Sequence, residues 1–179
     1  MKGLSVKVDR VGSVLKAIKS LAERDVLVGV PDPKTDRKSG EPITNAQLAY
    51  IHDNGSPVNN IPARPFMRPG IKDAQDKIDL RMKKAAEAAL SGSPSGVDNE
   101  LASAGLVAQN SIKSKINSGD FVPLALSTLR ARAARGRKGA KAELESRAAG
   151  NPPNPENARP LIDTGQMRNA ITYVVRNKK

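Results

Sequence analysis

The sequence predicts an α+β protein: a small, mostly antiparallel sheet packed by long helices, with an extended basic loop or arm. Three observations predict it. Short alternating apolar runs stand near both ends of the chain, stretches with helical apolar spacing lie between them, and a basic, proline-containing stretch interrupts the second half. The 179 residues suffice for one core, so 1–179 reads as a single domain, with 135–159 as the loop or arm. Apolar residues make up 38% of the chain but aromatics only 2%, so aliphatic side chains and alanine must build that core.

Leu4, Val6 and Val8 alternate with Ser5 and Lys7, the pattern of a strand with one buried face. Val11, Val14, Leu15, Ile18 and Ala22 then fall on one stripe of an amphipathic helix. DVLVGV, from Asp25 to Val30, reads as a more buried strand, and the charged, proline-rich PDPKTDRKSGEP after it as a hairpin tip or exposed loop. Thr44 is placed to cap a short helix running through Tyr50 and His52, which Asn54-Gly55 stops. VNNIPARPFMRPG is excluded from helix, because residues before proline are pushed toward extended backbone.

A long helix starts near Gly70, with Ile71, Ile78, Met82, Ala85 and Ala89 on one side, until SGSPSG breaks it. The next helix, about Val97 to Asn117, presents Leu101, Ala104, Ala108 and Ile112. A short helix around Ser127 to Ala134 follows. Gly136 to Arg159 carries no broad apolar stripe and reads as the exposed arm. Asp163 and Gln166 fit a capping box for a last helical turn, and AITYVV is strand-like.

Charge and composition bound the function. Thirty Lys and Arg stand against eighteen Asp and Glu, a net charge of +12. Residues from Leu101 onward hold 14 basic and 5 acidic side chains, residues 1–100 hold 16 and 13. That asymmetry points to an anionic partner, nucleic acid or an acidic protein surface. Tyr50, Phe66, Phe121 and Tyr173 are far apart in sequence, which argues against a stacking platform for bases. Without cysteine there is no disulfide, thiolate zinc site or thiol catalysis. The amino terminus lacks the apolar run of a signal peptide and VLVGV is too short to cross a bilayer, so a soluble, non-secreted protein without membrane partners is expected.

Candidate chemistry is sparse. His52 beside Asp53 invites a general-base reading, but adjacent residues do not face each other on a helix, and no partnered nucleophile accompanies them. Asp73, Asp76 and Asp79 recur every third residue; nothing completes a metal shell, and pairs with Lys77 and Lys83 explain them. GRKGAK lacks the glycine spacing and Lys-Ser/Thr pair of a phosphate loop. No catalytic residue, metal or cofactor is assigned, and no enzyme is expected. The basic cluster of Arg130, Arg132, Arg135, Arg137, Lys138 and Lys141 is the stronger signal: it suits phosphates, an acidic neighbour in an assembly, or plain solvation. In PARPFMRPG, Arg64 and Arg68 flank Phe66, which reads as a core plug between two cations placed for a subunit contact.

LAYIHDNGSPVNNIPARPFMRPGI resembles the hallmark of a tail-completion or head–tail joining family of long-tailed bacteriophages, the Mu-like virion-morphogenesis proteins among them. The positions that carry the likeness are Ile51, His52, Asp53, Gly55, Ser56 and Pro62 to Phe66, with Asp53 where the pattern usually has Glu. PLALSTLRAR and the later RPLIDTGQMRNAITYVV are similar to the family's closing pattern, and the two blocks together span about a third of the chain. The basic, proline-rich stretch before LIDTG is not part of that pattern.

The resemblance implies a non-enzymatic structural virion protein of the neck or upper tail, α+β in fold, assembled in the host cytoplasm. It would complete the tail and join it to the head connector as a ring of about six subunits, closed by a head-to-tail contact. Its partners would be copies of itself, the adjoining tail tube or terminator and head-connector proteins, and DNA in the channel. His52, Asp53, Arg64, Phe66 and Arg68 are then the expected subunit interface, and the basic arm meets protein or DNA. The alternative is a basic, sequence-independent DNA-binding accessory protein acting free of the particle.

Overall fold

The computed structural model describes residues 10–31 and 43–178. The strand expected at Leu4 to Val8, and the proline-rich loop beyond Pro31, lie outside the described residues. The fold is α+β: eight α-helices and a two-stranded antiparallel sheet among the described residues. Within the single domain expected from sequence, the chain forms two compact units, each discontinuous in sequence.

The first unit takes residues 10–29, 71–111 and 172–178. It holds α1 (Val11–Ala22), β1 (Arg24–Gly29), α4 (Gln75–Leu90), the first part of α5 (Pro94–Ser118) and β2 (Thr172–Asn177). β1 and β2 pair antiparallel from Arg24 opposite Asn177 to Gly29 opposite Thr172, so the strand-like run at the carboxyl end closes onto DVLVGV. The core is Ala17, Ala85, Ala89, Val97 and Leu101, with Leu21, Val26, Ala88 and Val175 packed against it. Alanines at the helix contacts let the backbones approach closely, which is how a core without large aromatics reaches ordinary packing density. Gly105 serves the same end, because a Cβ there would sit 2.7 Å from Cγ of Tyr173 and 3.0 Å from Cγ1 of Val26.

Two expectations change here. The apolar stripe of α1 does not face this core: Val11 is 63% exposed and Leu15 61%, while Ala17 is buried. The helix forms as expected, but the smaller side chain is the one that fits against α4. DVLVGV is half-buried rather than deeply buried: Val26 packs against the helix core, while Leu27, which points to the other face of the strand, is exposed.

The second unit takes residues 30–31, 43–70 and 112–171 of the described chain. It holds α2 (Asn45–Asn54), the start of α3 (Met67–Asp73), the end of α5, α6 (Leu126–Ala134), α7 (Lys138–Ala148) and α8 (Gln166–Asn169). Thr44 caps α2 and Gly55 ends it at φ +79°, as the sequence foretold, and Gln47 completes a capping box with Thr44. PARPF is extended, but helix resumes at Met67, within the segment from which helix had been excluded. α5 carries Leu101, Ala104, Ala108 and Ile112 on its buried side, the four residues its periodicity singled out.

Residues 135–159, expected as an extended arm, are instead built around α7, which packs on α6 through Leu129, Ala133, Ala140 and Leu144. Short alanine-rich contacts and a buried ion pair hold this helix, not a broad apolar stripe. Asp163 does not cap α8; Gly165 stands at the N-cap, and the Thr164 hydroxyl accepts from the Gln166 N–H at 3.3 Å.

An arginine-walled candidate site

The buried polar side chains among the described residues are Asn45, Arg64, Arg132 and Glu143, and all four belong to the second unit. Burying such groups is unfavourable unless each is hydrogen-bonded, so their partners show what the unit is built to hold in place.

Arg64 is the first tie. The turn after α2 closes on itself through the Ser56–Ile61 bridge, and the Arg64 N–H donates to the His52 carbonyl at 2.8 Å. Gly55 makes this possible: a Cβ there would lie 2.8 Å from the Ala63 nitrogen. So delivered, the Arg64 side chain is only 4% exposed and donates from Nε to the Val122 carbonyl (2.8 Å) and from Nη2 to that of Pro123 (3.2 Å). Asp53 does not face His52. Its Oδ1 accepts from the N–H groups of Phe66 (2.7 Å) and Met67 (2.9 Å), an acid at the start of α3 where the helix dipole favours it.

Arg132 is the second tie. From α6 its guanidinium donates to the carbonyls of Arg159 (2.9 Å), Ile162 (2.9 Å) and Pro160 (3.0 Å), gathering the chain before α8 around one planar fork. Arg135 and Arg137, just beyond α6, then grip the two carboxylate oxygens of Asp163 at 2.8 and 2.9 Å.

Together these ties wall a cleft of about 810 Å³, lined by His52, Arg64, Arg132, Arg135, Arg137 and Asp163 and floored by aliphatic and proline side chains. Four guanidinium groups face one carboxylate. Burial, then the positive charges of Arg64 and Arg132, hold the His52 imidazole below its usual range, so it is neutral at pH 7. Its Nδ1 is buried without a hydrogen-bond partner among the described residues. Burial and neighbouring cations also lower Arg64 and Arg132, Asp163 partly offsetting this for Arg132; both guanidinium groups remain charged.

A separate clasp holds the turn after α7. Glu143 is fully buried and accepts from Arg147 Nε (2.8 Å), the Asn154 N–H (2.9 Å) and Asn157 Nδ2 (3.0 Å). Arg147 donates onward to the Leu124 carbonyl at 2.8 Å. Burial opposes ionisation of Glu143, but the hydrogen bonds from Asn157, Asn154 and Arg147 outweigh it and hold the carboxyl below its usual range.

The sequence-derived sites are thus partly redistributed. Phe66 is 0% exposed, inside as its reading as a core plug expects, and Arg64 is spent on backbone carbonyls, so both are internal to the chain's own fold rather than displayed for a subunit contact; Arg68 is exposed. Of the basic cluster, Arg132 is buried and Arg135 and Arg137 line the cleft, while Arg130, Lys138 and Lys141 are exposed elsewhere. His52 and Arg64 join Arg132, Arg135 and Arg137 in one cleft, which nothing in their spacing announced. The Glu143 clasp was missed because Glu143 and Arg147, four apart on a helix, look like an ordinary surface pair. No family model matches the chain, and neither curated proteins nor solved structures offer a match. No helix among the described residues is long and apolar enough to cross a membrane.

Proposed function

We propose that this chain is a non-enzymatic structural protein of the bacteriophage neck or upper tail, which completes the tail and joins it to the head connector as a ring of about six copies. What supports this reading is that the two motif blocks meet. His52, Pro62 and Arg64 of the first block and Pro123, Thr128, Arg132, Leu161, Asp163 and Gly165 of the second line the same cleft, although more than fifty residues separate the blocks. The wiring of His52 also favours a joint over a catalytic loop, since it faces arginines while Asp53 is turned to the α3 backbone. Contact with neighbouring chains then falls to side chains that remain exposed, Arg68, Arg135 and Arg137 among them.

Quantitative mass spectrometry of purified virions, with heads and tails also separated, tests the reading. A few copies per particle, near six or a small multiple, are expected, and the fraction holding them locates the joint. Absence from intact particles, together with salt-sensitive DNA binding by the free protein, would overturn it in favour of the DNA-binding alternative.

A further inference from the structure

We propose that the arginine-walled cleft of the second unit is a binding site for an extended acidic peptide segment of a partner protein. Shape, charge and wall chemistry each carry part of the argument. At about 810 Å³ the cleft has the size of a site for a few side chains rather than for a duplex. Its walls are pre-set, because Arg64 and Arg132 are locked by five bonds to backbone carbonyls and cannot collapse into it. Walls already ordered before binding reduce the ordering cost of association.

Charge selects the ligand. Asp163 occupies one donor of Arg135 (Nη2) and one of Arg137 (Nε), so most of the five N–H donors of each guanidinium remain for an incoming carboxylate. The side chains of Arg135 and Arg137 are 59% and 45% exposed and so are accessible. His52 adds a ring whose buried Nδ1 has no partner among the described residues. Between these polar groups stand Ile61, Pro62, Leu161 and Met167, which suit the aliphatic side chains of a peptide. No aromatic residue among the described residues lines the cleft, so the aromatic platform on which single strands usually stack is missing, and this favours an acidic peptide over single-stranded nucleic acid. The inference rests on the proposed joint for its biological setting, but its assay needs no particle.

His52 is the only histidine of the chain and therefore a built-in reporter. The purified full-length protein is titrated with the blocked peptide acetyl-Asp-Leu-Glu-Ile-Asp-Glu-amide while its imidazole resonances are followed by NMR. A saturable shift is expected, and none with the Asn/Gln counterpart of the peptide. Arg135→Gln with Arg137→Gln should weaken binding at least about tenfold, the loss of roughly one charge-assisted contact. Arg130→Gln with Lys138→Gln removes the same charge away from the cleft and should leave binding within about twofold. Both pairs are exposed, and circular dichroism checks their folding. A silent imidazole at millimolar peptide overturns the proposal, as does equal weakening by the two pairs, or a response to a deoxythymidine oligonucleotide in place of the peptide. Virion mass spectrometry is independent: peptide binding without particle association removes the neck reading alone, and the reverse removes only this inference.

Discussion

Truncating Glu143 to alanine should destabilise the second unit far more than an i,i+4 pair on a helix surface would suggest. The carboxylate is fully buried and accepts three hydrogen bonds, from Arg147, Asn154 and Asn157. Its removal strands a guanidinium whose side chain is 17% exposed, together with a backbone N–H and a side-chain amide. Breaking a buried pair from one side costs about 3–5 kcal/mol, against about 0.3–0.5 for an exposed helix pair. Some water reaches Arg147, which places the expectation near 3 kcal/mol. For a chain of this length that corresponds to a fall in Tm of about 6–12 °C. Urea unfolding measures the loss, and hydrogen exchange at the Asn154 amide, which donates to Glu143, reports it locally. In a double-mutant cycle with Arg147→Ala the coupling should exceed about 1.5 kcal/mol. A Glu143→Ala loss below about 1 kcal/mol, with Asn154 still protected, would refute the buried-clasp argument and return α7 to the exposed arm that the sequence suggested.

Other outcomes follow from the same contacts. The Glu143 carboxyl is held below its ordinary 4.5, so its stabilisation is present above that pH and lost as pH falls through the folded value; Glu143→Gln should flatten that part of the acid unfolding profile. His52 is depressed below 6.5, so folding favours the neutral ring: this contribution is complete above pH 6.5 and declines as pH falls below it, and an NMR titration midpoint at or above 6.5 would contradict the burial beside Arg64 and Arg132. Arg132→Met should cost about 2–4 kcal/mol in urea unfolding by orphaning the carbonyls of Arg159, Pro160 and Ile162, and Arg132→Lys should recover only part, since an ammonium lacks the planar fork. Gly105→Ala should destabilise by about 1–2 kcal/mol despite alanine's better helix propensity, because its Cβ meets the Tyr173 ring; a stabilised variant would show that ring to be freely movable.

Features that depend on neighbours in the chain were legible in the residues alone. Thr44 and Gly55 bound α2, the spacing of Leu101, Ala104, Ala108 and Ile112 marks the buried side of α5, and the strand-like AITYVV gives β2. These are local signals, set by backbone sterics and helical or strand period. The sequence motifs also named the residues that meet in the cleft, without showing that they meet. Tertiary structure decided whatever depends on partners distant in sequence. Arg64 and Arg132 look like surface cations until the carbonyls of Val122, Pro123, Arg159, Pro160 and Ile162 are brought to them. Glu143 becomes structural only because the turn at Asn154 to Asn157 folds over it. On α1 Val11, Leu15 and Ile18 stay outside and Ala17 goes in, since close approach to α4 favours a methyl group over a longer chain. A charged or bulky residue carries no mark in the sequence of whether a distant backbone will arrive to satisfy it, and burial follows from that arrival.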